Sequence, residues 1–543
     1  MQAIVIIATV LDFPFVRQIL GFIFLVFVPG FLIIRLFKIK TSRTSQTFLF
    51  SVGLSIAFLM ILGFLLNELG PRISIAKPLS PNCLFIFFNI VIGFMLLLSL
   101  IRGNDSIHIN IENLKLKKVL PLITLPVLSV IAVLFLKYYG NNILLFLVLI
   151  LFPVILIWCL FGSKKSLYSL YPLIVFSVAL ALILSTSLIS NYTYGDDIQY
   201  ETSTFLLTKT SSHWDPNVFN YYQQSSDNSM LSVTILPTIL SNFLRIDPVW
   251  IFKVVFPLIY SLLPVGLFLL YTKVWSDKRS FISAFFFMAN YAFFTIVLTN
   301  AKQMIADLFF VILFLVLLKT NSDLIKGRLL IFVFAVFGLI VSHYSMFYFF
   351  LLIIVFVWFG TQMIRQRIKM PTSITASLLL LSSTLGFIWY AYVVKVDYGG
   401  PLEKFAGVIQ TTFGNFVTDF FSTSARGEDV QNALGILARP SALHYLGTYL
   451  YDITILLIFV GFISLIFQVR KGKFNLNFFL VQSISIGLLV SAVVVPLFAG
   501  LLELGRLYQT LLMFLAPLFV QGVEGFLLTF SNLRQKLLNQ GVK

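Results

Sequence analysis

Charge is what this chain has least of. Across 543 residues only 11% are Asp, Glu, Lys or Arg, while 59% are hydrophobic and the mean hydropathy is +0.98. A water-soluble domain covers its surface with about 25% charged residues, so an ordinary soluble fold is excluded. Cysteine is almost absent. Cys83 and Cys159 both fall in apolar stretches, which excludes a disulfide framework and a cysteine metal site. No glycine-rich phosphate loop, HExxH, GxSxG or zinc-ligand spacing occurs, which argues against ATP-driven transport, zinc-dependent proteolysis and serine hydrolysis. The first ten residues are apolar but lack a basic start and a small-residue cleavage site, so no cleaved signal peptide is expected.

What the chain does have is apolar runs of about 20 residues, the length at which a helix crosses a bilayer. An outer-membrane barrel would instead show alternating segments of about ten residues. Lipid leaves backbone polar groups no external partner, so helices are the remaining solution. The expected fold is all-α, a polytopic transmembrane bundle of about fifteen spans. They are placed near 19–37, 47–67, 81–101, 118–137, 142–161, 167–189, 250–274, 280–299, 303–319, 328–343, 345–364, 373–396, 448–468, 475–500 and 506–529.

The net charge of +17 does not indicate nucleic acid, because Lys and Arg gather in short loops between apolar runs. There they act as topology signals and contacts for anionic lipid. Every second loop is basic, among them the loops holding Lys38, Lys40 and Arg43, then Lys164 and Lys165, then Arg470, Lys471 and Lys473. This pattern places the N-terminus outside and the C-terminus in the cytoplasm of a cell carrying the protein in its plasma membrane.

Two loops are long, about 190–249 and 397–447, and both are expected outside. Long loops in a tightly connected chain tend to carry function. Within the first, residues 198–209 and 229–245 read as amphipathic helices lying at the interface. The expected organisation is a six-helix membrane region over 1–165, a core over 166–396, an external lid over 397–447 and closing helices over 448–543.

The residues that can carry chemistry gather at the outer helix ends. Asp196 and Asp197 follow the sixth expected span by a few residues. A carboxylate there can act as general base toward an acceptor hydroxyl or amine, or help hold a divalent metal. It can equally cap the helix that starts at Ile198. The two roles are compatible. Lys302 opens the ninth span, with Asp307 a turn further in and Gln303 between them. His343 and Tyr344 form the link between the tenth and eleventh spans, and Glu503 and Arg506 the link between the last two.

Lys302, His343 and Arg506 together can grip a phosphate in the outer leaflet, Arg as a fork and Lys as a point charge. Each can also be an ordinary helix-end anchor. Lys302 and Arg506 are less ordinary, because each stands outside the membrane and at a helix start, against two charge preferences. Such a cation is expected to have a partner or ligand. Asp307 is expected to face the bundle and to pair with Lys302 or Gln303.

This layout, with an acidic pair opening an outer loop that carries two interfacial helices, resembles the GT-C superfamily of glycosyltransferases. Protein O-mannosyltransferases, the aminoarabinose transferase of lipid A and the oligosaccharyltransferases share the plan. The stretches RQILGFIFLVFVPGFLIIRLF (17–37), AKQMIADLFF (301–310) and VSHYSMFYFF (341–350) resemble those of archaeal multi-spanning membrane proteins assigned to that group. The resemblance implies a GT-C-like core beginning near residue 167, with Asp196 and Asp197 at the acidic-motif position. It further implies a polyprenyl-phosphate sugar donor, a lipid, glycan or protein acceptor, and inversion at the anomeric carbon. A WWDYG-type signature is missing, which speaks against transfer of a whole oligosaccharide to Asn and against an obligatory metal. An O-antigen polymerase or ligase-like enzyme would also use external Arg and His but need no acidic pair. A lipid or solute transporter or flippase would place ionisable groups nearer mid-span.

Overall fold

Apolar runs without a competing polar partner fold as helices, since each backbone N–H then finds its carbonyl within the same segment. The computed structural model shows this throughout, and no strand occurs among the described residues. It describes residues 1–102, 116–161, 168–218, 225–318, 325–365, 374–395, 428–433, 435–437, 441–470, 475–495 and 504–540, with 410, 414 and 420. Most of the external loop expected over 397–447 therefore lies outside the described residues, as do Glu503 and the Asp196 side chain.

Eleven helices are long and apolar enough to cross a membrane, or twelve if the pair Asp277–Met288 and Tyr291–Thr299, bent by 67°, is one span. The other three expected spans are helices too, but short ones: Tyr171–Ser187, Ala301–Leu317 and Ile325–Ile340 have 17, 17 and 16 residues. At about 1.5 Å per residue these reach about 25 Å, less than a full hydrocarbon layer. Length is thus why fewer spans qualify than the sequence pattern suggests. Helices Pro81–Ile101, Val119–Tyr139 and Ile143–Phe161 leave most of their apolar surface exposed, including Ile90, Phe94, Leu147 and Trp158. Apolar faces of that size call for lipid. This is a helical membrane protein.

The chain divides into two compact units. The first joins Met1–Leu270, Phe294–Leu352 and Ser373–Val396, and so runs across the boundary expected near residue 165. Its centre is helix Ala301–Leu317, every residue of which is buried. Helices Ile325–Ile340, Phe256–Tyr260 and Thr44–Leu69 pack around it. One expectation is corrected here. The segment expected as an interfacial helix over 229–245 forms helix Ile235–Leu244, whose ten residues are all buried. Gly63 on Thr44–Leu69 leaves room for Ile235 and Ile239, which would otherwise meet its Cβ at 2.4 and 2.7 Å. Helix Asp196–Ser211 keeps a wet face, with Tyr200 and Leu206 exposed and Glu201, Phe205 and Thr208 buried.

The second unit joins Tyr271–Phe293, Ile353–Thr372 and Asp397–Lys543. Helices Ala442–Arg470 and Leu504–Gln540 cross closely where both carry glycine. A Cβ at Gly461 would lie 2.0 Å from the Leu518 carbonyl oxygen, and one at Gly522 1.9 Å from that of Leu457. Small residues of this kind let membrane helices touch by their backbones. Pro517 interrupts the second of these helices. Having no N–H, it leaves the carbonyl four residues back, that of Met513, without its helical partner. The Tyr271 hydroxyl donates to that oxygen at 2.7 Å, and the Gln482 amide donates to the neighbouring Phe514 carbonyl at 2.9 Å.

Tyr271→Phe keeps the volume and removes the donor. It is expected to destabilise the protein by about 1–3 kcal/mol, the penalty for a buried unsatisfied carbonyl. Thermal unfolding in detergent measures this, and a wild-type midpoint would show that another donor serves Met513.

Candidate active site

The site is built where the first long loop meets the head of helix Ala301–Leu317. Helix Tyr171–Ser187 ends below it, and the Lys253 ammonium donates to the carbonyl oxygens of Ser187 and, at 3.0 Å, Tyr192. A cation on last-turn carbonyls suits the negative end of a helix. The chain then turns at Gly195, whose φ of +113° lies in a region that favours glycine. A side chain there would also meet Thr299, with Cβ to Cβ at 2.3 Å. Glycine thus lets the start of helix Asp196–Ser211 press against Thr299 and Asn300.

Gly195 is the N-cap of that helix, and no side chain caps it. Asp196 and Asp197 are the first two residues of the helix, past its cap position. Asp197 instead faces Asn300, whose amide Nδ2 donates to Asp197 Oδ2 at 2.9 Å. The same Asn300 caps helix Ala301–Leu317, its Oδ1 accepting the Gln303 N–H at 3.1 Å. One turn after Asp197 and on the same face stands Glu201. Its carboxylate accepts the Ala301 N–H at 2.6 Å and lies 3.5 Å from the Lys302 N–H. Orphan N–H groups and the positive end of the helix dipole make this a natural seat for an anion.

Lys302 extends from the same helix head into the cluster. Its Nζ donates to Asp227 Oδ1 at 2.7 Å and lies 3.5 Å from Glu201 Oε1. Glu201 is 0% exposed, Lys302 6% and Asp227 7%. Asp227 belongs to a short helix, Ser225–Asn228, that is clamped from behind. The Trp214 indole N–H donates to the Asn228 carbonyl at 2.9 Å and that of Trp389 to the Ser229 carbonyl at 3.2 Å. The two indoles stack at 6.2 Å, and Phe64 packs edge-on against both. Asn67 on helix Thr44–Leu69 exchanges two hydrogen bonds with the Trp214 backbone, at 2.7 and 2.8 Å.

Burial pushes the Glu201 carboxyl up to about 8, against the downward pull of Lys302 and the Ala301 N–H; Asp227 and Asp197 push it further upward. Near neutral pH Glu201 therefore keeps its proton. Isolated buried charges are expensive, and a lysine among carboxylates is the arrangement that makes them tolerable.

Of the residues singled out by the sequence, Asp197 and Lys302 are brought together here. His343 is one step away. The turn that carries it docks on the segment following Asp227, through the Ser232 hydroxyl to the Ser342 carbonyl at 3.0 Å. His343 Nδ1 lies 3.4 Å from the Ser345 hydroxyl, and its ring is 5.6 Å from that of Tyr344. Asp307 is fully buried, and neither carboxylate oxygen has a hydrogen-bond partner among the described residues. Its expected pairing with Lys302 or Gln303 does not form, because Lys302 turns outward to Asp227. Arg506 belongs to the second unit, in the first turn of helix Leu504–Gln540.

Glu201, Asp227 and Asn300 were not expected. The spacing of Asp197 and Glu201, four apart on a helix, was the available signal. Lys302 bridges Glu201 and Asp227, Asn300 ties Asp197 to the helix head, and among the described residues no three His, Cys, Asp or Glu are placed to hold a metal ion.

The raised Glu201 value has a consequence for stability. The folded chain keeps a proton that the unfolded chain releases near 4.5. That contribution is complete below 4.5 and disappears as the pH rises through about 8. Glu201→Gln keeps an acceptor for Ala301 but cannot ionise. Its melting temperature is expected to fall less than that of the wild type across this window, and parallel curves would assign the proton elsewhere.

Residues 327–541 match the model of a family described as "Predicted membrane protein (DUF2206)". The match takes in His343, Tyr344, Glu503 and Arg506, and begins after Asp197, Glu201, Asp227 and Lys302. No curated protein and no solved structure matches the chain.

Proposed function

We propose that this protein is a membrane glycosyltransferase that moves a sugar from a polyprenyl-phosphate-linked donor to a lipid, glycan or protein acceptor at the external face. The observation that carries the reading is the graded carboxylate cluster. Asp197 is partly exposed, while Glu201 and Asp227 lie buried behind it around Lys302. A reacting hydroxyl needs a base it can reach, held by groups that do not themselves react.

In this reading Asp197 takes the proton of the acceptor hydroxyl. The acceptor oxygen forms a bond to the anomeric carbon from the face opposite the leaving group. The bond from that carbon to the donor phosphate breaks, and the polyprenyl phosphate departs with the electron pair. Asn300 orients Asp197. Lys302 is assigned to the carboxylates that it contacts, and not to the phosphate. His343 is assigned to the departing phosphate, where electrostatic stabilisation of the leaving group is the expected main source of rate. In this reading the basic loops face the cytoplasm, with the N-terminus outside, the C-terminus inside and the plasma membrane as host bilayer.

Asp197→Asn keeps the contact with Asn300 in shape but removes the base. It is expected to lower transfer by about 10²–10⁴-fold while expression and melting temperature hold. Mass spectrometry of an acceptor incubated with a polyprenyl-phosphate sugar measures it. Undiminished transfer would remove Asp197 from the mechanism and favour the O-antigen-ligase-like reading, which needs no acidic pair.

One observation favours a second reading, transport. Asp307 is a fully buried carboxyl with no hydrogen-bond partner among the described residues, the kind of group that transporters use inside the membrane. A chain that loses substrate uptake in Asp307→Asn, with Asp197→Asn silent, would be a transporter.

A further inference from the structure

The far end of helix Ala301–Leu317 carries a second constellation that the transferase reading does not use. Seventeen residues of helix rise about 25 Å, so this end is well separated from Lys302 and its carboxylates. A half-open pocket forms here between the ends of three helices. Lys40, Gln46 and Arg328 supply its polar lining, and Phe50, Leu315 and Ile331 its apolar wall. It holds about 340 Å³ of space not filled by atoms, part of it open to solvent.

The polar lining offers donors only. Gln46 is 4% exposed, and its Oε1 accepts both the backbone N–H of Ser42 at 3.0 Å and the Ser42 hydroxyl at 2.7 Å. A backbone N–H can only donate, which fixes the orientation of the amide. The oxygen is committed to Ser42, and what Gln46 offers the pocket is its NH₂. Arg328 donates through one guanidinium nitrogen to the Val316 carbonyl at 2.5 Å. That bond satisfies a last-turn carbonyl of the central helix and holds the guanidinium at the pocket wall. Lys40 is exposed at the rim. The lining contains no Asp or Glu, and neither Lys40 nor Arg328 is in an ion pair among the described residues.

Two cations and an amide donor converge on one cavity that no carboxylate among the described residues neutralises, and an apolar wall lies beside them. We propose that this pocket binds a phosphate-bearing anion, supplied either as the headgroup of an anionic phospholipid or as free phosphate. The guanidinium suits two phosphate oxygens at once, and the ammonium adds a point charge. Basic pockets between membrane helices bind lipid headgroups in this way.

The test uses full-length protein in detergent micelles doped with phosphatidylglycerol or, as zwitterionic control, phosphatidylcholine. Native mass spectrometry counts the lipid retained. Gln46→Glu keeps an acceptor for both Ser42 donors and replaces the pocket-facing NH₂ with negative charge. It is expected to lower phosphatidylglycerol retention about ten-fold, equivalent to about 1.4 kcal/mol, with an unchanged melting temperature. The double variant Lys40→Gln, Arg328→Gln is expected to act in the same direction, and Arg245→Gln, far from the pocket, to have no effect. If millimolar inorganic phosphate displaces the lipid, or protects the wild type but not Gln46→Glu against thermal unfolding, free phosphate is the ligand. If phosphate does neither while phosphatidylglycerol is retained over phosphatidylcholine, the headgroup is. Wild-type retention in both pocket variants, or equal retention of the two lipids with no effect of phosphate, would overturn the proposal.

Discussion

Lys302 is a cation buried at the wrong end of a helix. The N-terminal turn of Ala301–Leu317 already carries the positive end of the peptide dipole, so an ammonium there is repelled by its own helix and stripped of water. The fold answers with Glu201, which accepts N–H from that same turn and faces Lys302, and with Asp227, which accepts from Lys302 directly. Removing Asp227 would leave uncompensated charge in a dry setting, and removing Glu201 would leave the Ala301 N–H without its acceptor. Much of the first unit can be read as the scaffold this requires. Gly195 lets the Asp197–Glu201 helix approach Thr299, and Asn300 ties Asp197 to the helix head. The Trp214 and Trp389 indoles hold the backbone on which Asp227 is mounted.

A second constraint runs through both units. In an apolar surrounding, carbonyls at helix ends and at prolines must be met by side chains, because water is not there to do it. Lys253 serves Ser187, Arg328 serves Val316, Arg17 serves Leu244 at 3.2 Å, and Tyr271 serves Met513. Three of these four donors are cations. Their charge also suits the negative helix end, so one side chain meets two electrostatic demands. This explains why buried cations recur in a chain with so little charge. It also separates them by role. Lys253 closes the backbone and Arg17 does so while pairing with the exposed Asp12, whereas Lys302 closes on carboxylates that are themselves buried.

The sequence made the helices legible because apolar length alone specifies them in lipid. It also marked Lys302, since a cation breaking two charge preferences needs a partner. It could not supply the partner. Asp227 lies 75 positions away, in a stretch whose local pattern is merely polar and aromatic, and only the clasp by Asn67 and the two tryptophans brings it to Lys302. Glu201 was closer to legible, four residues after Asp197, but the more conspicuous pair Asp196–Asp197 drew the reading to adjacent positions, which on a helix face apart. Helix Ile235–Leu244 was misjudged for a related reason. Its ten residues are too few to span, and in a sequence a segment of that length looks interfacial whether or not other helices cover it. Burial by Thr44–Leu69 and its neighbours is a tertiary fact that length does not encode.

Three carboxylates around one lysine leave an imbalance, and the imbalance is informative. If all four groups were ionised, the cluster would carry net negative charge in a desolvated site, which burial opposes. The least costly correction is one proton on the group most removed from water, Glu201, and its value of about 8 reflects that. Asp197, nearer the surface and held by Asn300, is the member of the cluster that a substrate can reach. Two carboxylates one turn apart on the same helix thus differ in depth, one partly exposed and one sealed from solvent. The outer one is suited to accept a proton from a substrate, and the inner one moderates the charge against which it does so.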